Sequence, residues 1–372
     1  MLLKKTLNYK IYLSLNSHMK KKFKILLGVG IPLLSVVITG GLWAYFNLLH
    51  RYKGKKVVSN WSESDTFDIN KITTLHKEKD KDFRILNLAD LQVADLDGAK
   101  AFKVVHKEMD DLINTYKPDL ITLTGDQTMS NENRLFLKSI IKTLDKHKIP
   151  YAPIFGNHDF GNSYNEGVCS EQYCSDLYEK GKYSLFKRGP TNIGALGNYV
   201  INIEEDGKIV SSLYMMALAY NPTLTNEQVS WFKWNAEGIK ASNNGAYSRG
   251  IVFTHKDFVE HRLAYYHYLN DPSDAEGNVY RYGGYNYADG SNFIDEAKSR
   301  GVYDFVCAHQ HNNNYTIKYD GARYTFALKS SEAVFYYEDD SLYLNGATEI
   351  IVGSNATHFE HHLVERGKYS LK

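Results

Sequence analysis

Cysteine is scarce in this sequence, which has three cysteines among 372 residues. Three thiols are too few for the disulfide framework of a small secreted domain. Cys169 and Cys174 are close enough in sequence to close a small loop in an oxidising compartment, whereas Cys307 lies in an apolar run that predicts burial. The cysteines therefore exclude a disulfide scaffold and leave the redox compartment open.

An excess of charge of either sign is also absent. The chain has 44 basic and 43 acidic residues and a formal net charge of +1. This balance argues against a protein that wraps nucleic acid or another polyanion, so a charged ligand would need a local site. The sequence has no internal repeat or low-complexity tract, and its 43% hydrophobic and 23% charged residues are ordinary for a globular chain.

The N-terminal region contains one long apolar run. Residues 25–49 carry no charged side chain and exceed the roughly 20 residues that a helix needs to cross a bilayer. We expect an uncleaved transmembrane helix, because the run continues past the small residues at which a signal peptide would be cleaved. Lysines in residues 1–24 favour a short cytoplasmic tail and an extracytoplasmic domain in a single-pass membrane protein. Residues 50–79 are polar and lack periodicity, which predicts a tether.

Strand-like and helix-like patterns alternate after the predicted tether. Apolar strand patterns end at Asp90 and Asp126 and precede Asn157, and helical spacing fills the two intervals between them. This order predicts a parallel βαβ sheet, whose ligands gather beyond the carboxyl ends of its strands. Later strand patterns are enough for a second sheet packed on the first. The fold class is therefore mixed α/β, with a domain over residues 80–353 and a C-terminal tail over residues 354–372.

Five short segments each place a metal-capable group directly after an apolar strand pattern. Carboxylate, amide and imidazole ligands together suit divalent metals such as Mn, Fe, Zn or Co better than calcium or a thiolate zinc site. Each segment alone is a weak signal, since a single histidine after a strand is often structural. Their order on successive strand ends is much harder to produce by accident. The residues are Asp90 with Gln92, Asp126, Asn157 with His158 and Asp159, His255, and His309 with His311.

This order of segments resembles the calcineurin-like metallophosphoesterase superfamily. The family pattern is Asp-x-His, Gly-Asp, Gly-Asn-His followed by Asp or Glu, a lone His, and Gly-His-x-His. The resemblance covers roughly residues 82–330 and implies a four-layer αββα sandwich. It also implies a phosphomonoesterase or phosphodiesterase, and the context of residues 198–200 and 228–231 favours the purple acid phosphatase-like branch. The matching segments are Asp90-Leu91-Gln92, Gly125-Asp126, Gly156-Asn157-His158-Asp159, His255 and Ala308-His309-Gln310-His311.

The resemblance implies a role for each matching residue. A hydroxide that bridges two divalent metal ions would attack the phosphate ester. His158 would protonate the leaving oxygen or hold the phosphate, and Asp159 would orient the His158 ring. One metal would be bound by Asp90, Gln92, Asp126 and His311, and the other by Asp126, Asn157, His255 and His309.

Two positions depart from the family pattern. Gln92 stands where the family usually has histidine, so a weaker amide oxygen replaces an imidazole nitrogen. Ala308 replaces a glycine, which the end of a strand tolerates unless that residue needs a positive φ. The alternative to an enzyme is a membrane-tethered, non-catalytic binding or sensing protein with a degenerate metal site. Retention of all the other matching residues favours the hydrolase.

Substrate contacts are expected from the insert over residues 256–290, which is rich in tyrosine. We expect His261 and His267 of this insert to lie at the surface. A nuclease would need a basic groove, and no run of Lys or Arg lies near the candidate ligands. The expected partners are therefore a phosphate-ester substrate and the membrane, with no nucleic acid.

Overall fold

The computed structural model describes most of the chain in two compact units, Met1–Tyr52 and Lys53–Lys372. The residues described are Ser17, 19–22, Lys24, 31–44, 53–94, 98–130, 132–160, 169–218, 223–281, 284–285, 292–332, 344–365 and 367–369.

The smaller unit contains helix α1, Ile31–Ala44. Its 14 residues include no charged side chain, and its large apolar side chains are exposed. The rest of the predicted membrane span, residues 25–30 and 45–49, lies outside the described residues. No helix in the described part of the chain is long and apolar enough to cross a membrane.

The larger unit contains fifteen strands and six α-helices in its described residues. The helices are α2 (Gly98–Tyr116), α3 (Asn133–His147), α4 (Glu171–Glu179), α5 (Asn226–Ser242), α6 (Val259–Tyr268) and α7 (Phe293–Lys298), and 3-10 helices cover Ile69–Lys71 and Pro272–Asp274. The strands are β1 (Thr73–His76), β2 (Phe83–Leu88), β3 (Val93–Ala94), β4 (Leu120–Thr124), β5 (Thr128–Met129), β6 (Tyr151–Ile154), β7 (Tyr199–Glu205), β8 (Lys208–Met215), β9 (Arg249–Phe253), β10 (Tyr280–Arg281), β11 (Val302–Cys307), β12 (Asn313–Tyr319), β13 (Ala322–Phe326), β14 (Gly346–Val352) and β15 (Thr357–Leu363).

The first main sheet has five strands in the order β15-β14-β2-β4-β6. Strands β2, β4 and β6 run parallel, with Ile85 beside Leu120 and Ile121 beside Tyr151. Every residue of β4 and β6 is buried, which is typical of parallel strands covered on both faces. These are the three strands predicted from the sequence, and α2 and α3 lie in the two connections between them.

The second main sheet has eight strands in the order β1-β7-β8-β9-β11-β13-β12-β10. A cluster of buried apolar side chains joins this sheet to α5, α6 and α7. In this cluster the Phe293 ring lies 5.1 Å from Phe232 and 6.4 Å from Phe305, measured between ring centroids. A short third sheet pairs β3 with β5. The predicted mixed α/β class is confirmed.

From Lys53 onward, the segment that was predicted to be a tether is part of the folded domain. It belongs to the larger unit, and β1 pairs in parallel with β7, with Thr73 beside Ile201. Apolar contacts also hold this segment on the domain, and the Phe67 ring lies 5.2 Å from the Trp234 ring. The apolar residues that make these contacts are too few to give a periodic pattern in the sequence. The residues predicted as a C-terminal tail likewise include β15, which pairs with β14 along its length.

Candidate metal centre

The predicted site residues lie at the carboxyl ends of strands in both main sheets. Asp90 and Gln92 follow β2, Asp126 follows β4, and Asn157 follows β6. His255 follows β9, and His309 and His311 follow β11, the neighbour of β9 in the second sheet. The backbone N–H of His309 donates to Asp90 Oδ2 at 3.1 Å, which brings the two sets of strand ends together.

Two groups of side chains meet here, and Asp126 belongs to both. In the first group, the ligand atoms of Asp90, Asp126 and His311 lie within 4.8 Å of one another. In the second group, the same limit holds for Asp126, His255 and His309. Each group could hold a metal ion, so the structure brings together two candidate sites that share one carboxylate.

Short distances join the atoms of the second group. His255 Nε2 lies 3.4 Å from Asp126 Oδ2 and 3.1 Å from His309 Nδ1. Asn157 Oδ1 lies 3.1 Å from the same His255 nitrogen. In the first group, His311 Nε2 lies 3.6 Å from Asp90 Oδ1. In the second group, atoms of Asp126, Asn157 and His309 therefore all lie within 3.4 Å of His255 Nε2.

Four site residues have a positive φ angle, in the left-handed region that residues other than glycine seldom adopt. The φ angles are 50° at Asp90, 45° at Gln92, 52° at Asp126 and 71° at His309. Each costs roughly 1–2 kcal/mol relative to an ordinary conformation. Such strain persists where surrounding contacts hold it, and it often marks a functional site. Ala308 keeps a negative φ, so its replacement of the family glycine is tolerated.

Two glycines allow the loops to approach each other closely. A Cβ atom at Gly156 would overlap Asp126 Oδ1 and the Asp126 backbone nitrogen. A Cβ atom at Gly125 would lie 2.5 Å from His255 Nδ1, and Gly125 has a φ of 92°. Larger residues at these two positions would push Asp126 or His255 away from the site.

A backbone carbonyl orients the His255 ring. His255 Nδ1 donates to Thr124 O at 2.8 Å, so Nε2 faces Asp126 and Asn157. Burial opposes a charge on this ring, but the Asp126 carboxylate raises the pKa of His255 to about 9. Burial and the nearby His255 charge lower the pKa of His309 to about 3.

The surroundings of Asp126 favour the ionised form of its carboxyl group. Its burial opposes ionisation, but the surrounding histidines, His255 above all, lower its pKa well below the ordinary value. The backbone N–H of His158 also donates to Asp126 Oδ1 at 2.8 Å. The His158 side chain is half-buried beside this carboxylate.

Asp159 has different partners from those predicted by the resemblance. Its Oδ1 accepts from the backbone N–H groups of Gln127 at 2.7 Å and Thr128 at 3.0 Å, and its Oδ2 accepts from Gly156 at 2.8 Å. Burial, followed by the charge of Asp126, raises the pKa of Asp159 to about 7. Asp159 therefore joins the loops after β4 and β6, and its hydrogen bonds are to backbone, not to the His158 ring.

Comparison with known families settles what kind of protein carries this site. Residues 83–346 match the family model described as calcineurin-like phosphoesterase. The chain belongs to the calcineurin-like phosphoesterase family. This match covers more than half of the chain and contains every predicted site residue, so the family predicted from the motifs is confirmed. The protein is a phosphoesterase, a hydrolase of phosphate esters.

Three solved structures are similar to this chain at low sequence identity. They are a dimetal phosphatase from Danio rerio (11% identity, 74% of this chain, 98% of that chain, TM-score 0.43), the anchor in the inner membrane complex of Plasmodium (13%, 77%, 86%, 0.44) and a purple acid phosphatase from yellow lupin seeds (10%, 73%, 49%, 0.39). A search among curated proteins gave no match. The placement in the purple acid phosphatase-like branch stays a prediction.

The residues present fit the divalent metal ions that a calcineurin-like phosphoesterase implies. Asp90 Oδ1 and Gln92 Oε1 are buried and have no hydrogen-bond partner. A buried acceptor without a donor costs about 1–3 kcal/mol, and a bound cation would remove that cost. The donor set of carboxylate, amide and imidazole suits divalent metals of borderline hardness.

Two buried residues, Lys329 and His261, were not predicted correctly from the sequence. Lys329, which follows the apolar residues 326–328, is buried and donates to Asp90 O at 2.6 Å. His261 is completely buried against Phe326 and Tyr324, so the prediction that it lies at the surface is wrong. Its spacing on α6 could have indicated a buried face, because Ala264 three residues later is also buried.

Proposed function

We propose that this phosphoesterase hydrolyses phosphomonoesters or phosphodiesters at a centre of two divalent metal ions. Asp126 contributes to both metal sites. The remaining ligands are Asp90, Gln92 and His311 for the first metal, and Asn157, His255 and His309 for the second metal.

The observation that carries this proposal is the position of the Asp126 carboxylate. It lies in both groups of metal-capable atoms, with Oδ2 3.4 Å from His255 Nε2. A buried carboxylate surrounded by histidines from two sheets has little structural purpose, because an apolar side chain would be cheaper to bury. A carboxylate shared by two sites is the arrangement that two adjacent cations need.

Divalent cations held by these residues would supply a water of lowered pKa and positive charge for the phosphoryl oxygens. The protein supplies the remaining functions. His158, half-buried beside Asp126, is placed to protonate the leaving oxygen or to hold the phosphate. Asp159 keeps the loops after β4 and β6 together and so fixes the separation of Asp126 and Asn157.

We also propose that residues 25–49 anchor the protein in a membrane, with the larger unit outside the cytoplasm. The support is the uncharged apolar sequence of this run and the exposed apolar side chains of α1. Protease treatment of sealed cells tests this topology. Cleavage of the larger unit without cell lysis is expected, and complete protection would contradict it.

Metal content and hydrolysis together test the catalytic proposal. The full chain is loaded with Mn²⁺ and assayed with para-nitrophenyl phosphate and with the corresponding bis-ester, as wild type and as Asp126→Asn. Asp111→Asn is the control, because Asp111 is an exposed carboxylate whose partner is Lys107. We expect about two metals per chain and turnover of at least one ester in wild type and control, and loss of both in Asp126→Asn.

The opposite result would favour the non-catalytic alternative. If the wild type binds no metal and hydrolyses neither ester with any divalent cation, the catalytic proposal is wrong. Gln92 would then be the first residue to examine, since it is the weakest predicted ligand.

A further inference from the structure

Lys329 lies where the two main sheets meet. It follows β13 of the second sheet and forms isolated bridges with Ala89 and Asn345, which adjoin β2 and β14 of the first sheet. Only 1% of Lys329 is exposed. This lysine is therefore enclosed in the protein, next to the strand end that carries Asp90.

The Lys329 ammonium has an unusual set of contacts. It donates a hydrogen bond to the carbonyl oxygen of Asp90 at 2.6 Å. No carboxylate of the described residues lies within salt-bridge distance of it, and the charges of Asp90, Glu108 and Asp126 act on it from farther away. Burying an ammonium without a paired carboxylate is expensive. Lys77, which is 2% exposed, shows the ordinary arrangement, with its ammonium 3.1 Å from the Glu205 carboxylate. Packing alone therefore does not explain why a lysine is buried at position 329.

Asp90 has a backbone that needs support at this point. Its φ of 50° is left-handed, which is strained for aspartate. The neighbouring main chain is held on both sides, because Asp90 N donates to Gly125 O at 3.1 Å and Ser330 N donates to Ala89 O at 2.7 Å. The Lys329 ammonium supplies the donor for the carbonyl of the strained residue itself.

We propose that Lys329 is a positioning residue of the first metal site. Its hydrogen bond keeps the chain reversal at Asp90 in place, so that the Asp90 carboxylate and the Gln92 amide two residues later face the metal. The second group, around His255, depends less on this bond, because its ligands follow other strands and its only hydrogen bond to Asp90 among the described residues is the one from the His309 backbone N–H. This inference rests on the proposed two-metal function and predicts that one of the two sites is selectively sensitive to Lys329.

A titration of the full chain with Mn²⁺ tests the inference without any substrate. Calorimetry gives the stoichiometry and affinity of each binding step, and electron paramagnetic resonance distinguishes a coupled metal pair from isolated Mn²⁺. The test variant is Lys329→Met, which removes the donor and keeps the unbranched side chain at one atom shorter than lysine. The matched control is Lys77→Met, which also removes a buried ammonium and breaks an ion pair far from the site.

The expected result is selective loss at one site. Wild type and Lys77→Met bind two Mn²⁺ with the same affinities, whereas Lys329→Met keeps one site and weakens the other by about 10-fold or more. Two unchanged binding steps in Lys329→Met would overturn the inference. Equal weakening of both steps would also overturn it, since that is what a merely structural role predicts.

Two further points keep the outcome interpretable. If circular dichroism shows that Lys329→Met does not fold, Lys329→Gln replaces it in the same titration, because its shorter side chain withdraws the donor from Asp90. The same two outcomes then decide. A wild type that binds fewer than two Mn²⁺ would instead contradict the proposed two-metal function, whatever the variants do.

Discussion

Asp159 Oδ2 accepts a hydrogen bond from the backbone N–H of Gly156 at 2.8 Å, in the same loop that carries Asn157. Its other oxygen accepts from the backbone N–H groups of Gln127 and Thr128, next to Asp126. One buried side chain thus fixes the relative position of two predicted metal ligands. This explains why the segment Gly-Asn-His-Asp ends in a carboxylate although the predicted chemistry does not use it directly.

Asp159→Asn should therefore lower both stability and metal binding. In asparagine an NH₂ group replaces one carboxylate oxygen and cannot accept a hydrogen bond. At least one buried backbone N–H group would then lose its acceptor. We expect the free energy of unfolding to fall by about 2–4 kcal/mol and the bound metal to be lost. Urea unfolding and metal analysis of the purified protein measure the two effects.

Asp145→Asn is the control for Asp159→Asn. Asp145 also accepts hydrogen bonds from two backbone N–H groups, those of Lys182 and Tyr183, each at 3.1 Å. It lies away from the strand ends of the site, so this variant should lose stability and keep its metal. Equal metal content in both variants would mean that Asp159 has no special part in the centre.

Gly156→Ala should disrupt the metal centre, although it adds only one methyl group. The added Cβ atom would overlap the Asp126 carboxylate and backbone, so Asp126 must move. A displacement of about 1 Å at a catalytic centre costs on the order of 100-fold in rate. Metal content and the rate of para-nitrophenyl phosphate hydrolysis should both fall. Gly284→Ala, where an added Cβ meets no atom within 4 Å, should keep its metal, and the idea fails if Gly156→Ala behaves in the same way.

The sequence was sufficient to predict which side chains of this site lie together. Parallel strands place their carboxyl ends at one edge, so polar residues that follow β2, β4 and β6 had to be neighbours. The lone His255 was weak evidence by itself, and only its place in the order of segments identified it. The roles of these residues as ligands stay predictions.

The supporting contacts could not be predicted from the sequence. Asp159 bonds to backbone N–H groups, which have no residue-specific pattern. Lys329 and Asp90 are 239 residues apart, and nothing local in either segment indicates the contact. β1 was also missed, because its four residues are too short to show alternation and only half-buried.

Gln92→His should strengthen the first metal site. An imidazole nitrogen is a better ligand for borderline divalent metals than an amide oxygen, and histidine tolerates the left-handed φ of 45° at this position better than branched residues do. We expect about 10-fold tighter binding of the weaker metal. Metal retention during dialysis against a chelator measures it, with Gln92→Leu as the comparison that removes the ligand. Equal retention in the histidine and leucine variants would show that residue 92 does not contact a metal.

Glu108 should make stability depend on pH. It is fully buried, and burial raises its pKa to about 8, from an ordinary 4.5. The folded state therefore holds a proton that the unfolded state releases between these values. Stability from this group is complete below about pH 4.5 and is lost as pH rises through about 8.

Glu108→Gln should flatten this dependence, because a neutral amide has no proton to lose. Urea unfolding at pH 5.5, 7 and 8.5 measures the change. We expect the wild type to lose on the order of 2–4 kcal/mol across the range relative to the variant. Parallel curves for the two proteins would mean that Glu108 stays ionised in the fold, despite its burial beside Asn345 and Glu332.

Residues 53–79 should prove necessary for a stable domain, in contrast to a tether. The Trp234 ring of α5 packs at 5.9 Å from Trp61 and 5.2 Å from Phe67, and β1 adds an edge strand beside β7. A chain that begins at Asp80 loses all of these contacts and exposes Trp234. We expect its melting temperature to lie about 5–10 °C below that of a chain that begins at Lys53.

Phe67→Ala in the full chain tests the packing of the Phe67 ring without shortening the chain. The Phe67 ring occupies the space above Gly238, where even one added Cβ atom would overlap it. Removing the ring leaves a cavity against α5 and should cost about 3 kcal/mol or more, with a red shift of tryptophan fluorescence as Trp234 becomes hydrated. A tether would tolerate the substitution without either change. If Phe67→Ala and the shortened chain both have the melting temperature of the wild type, the segment contributes nothing to the stability of the fold, and the prediction of a tether stands.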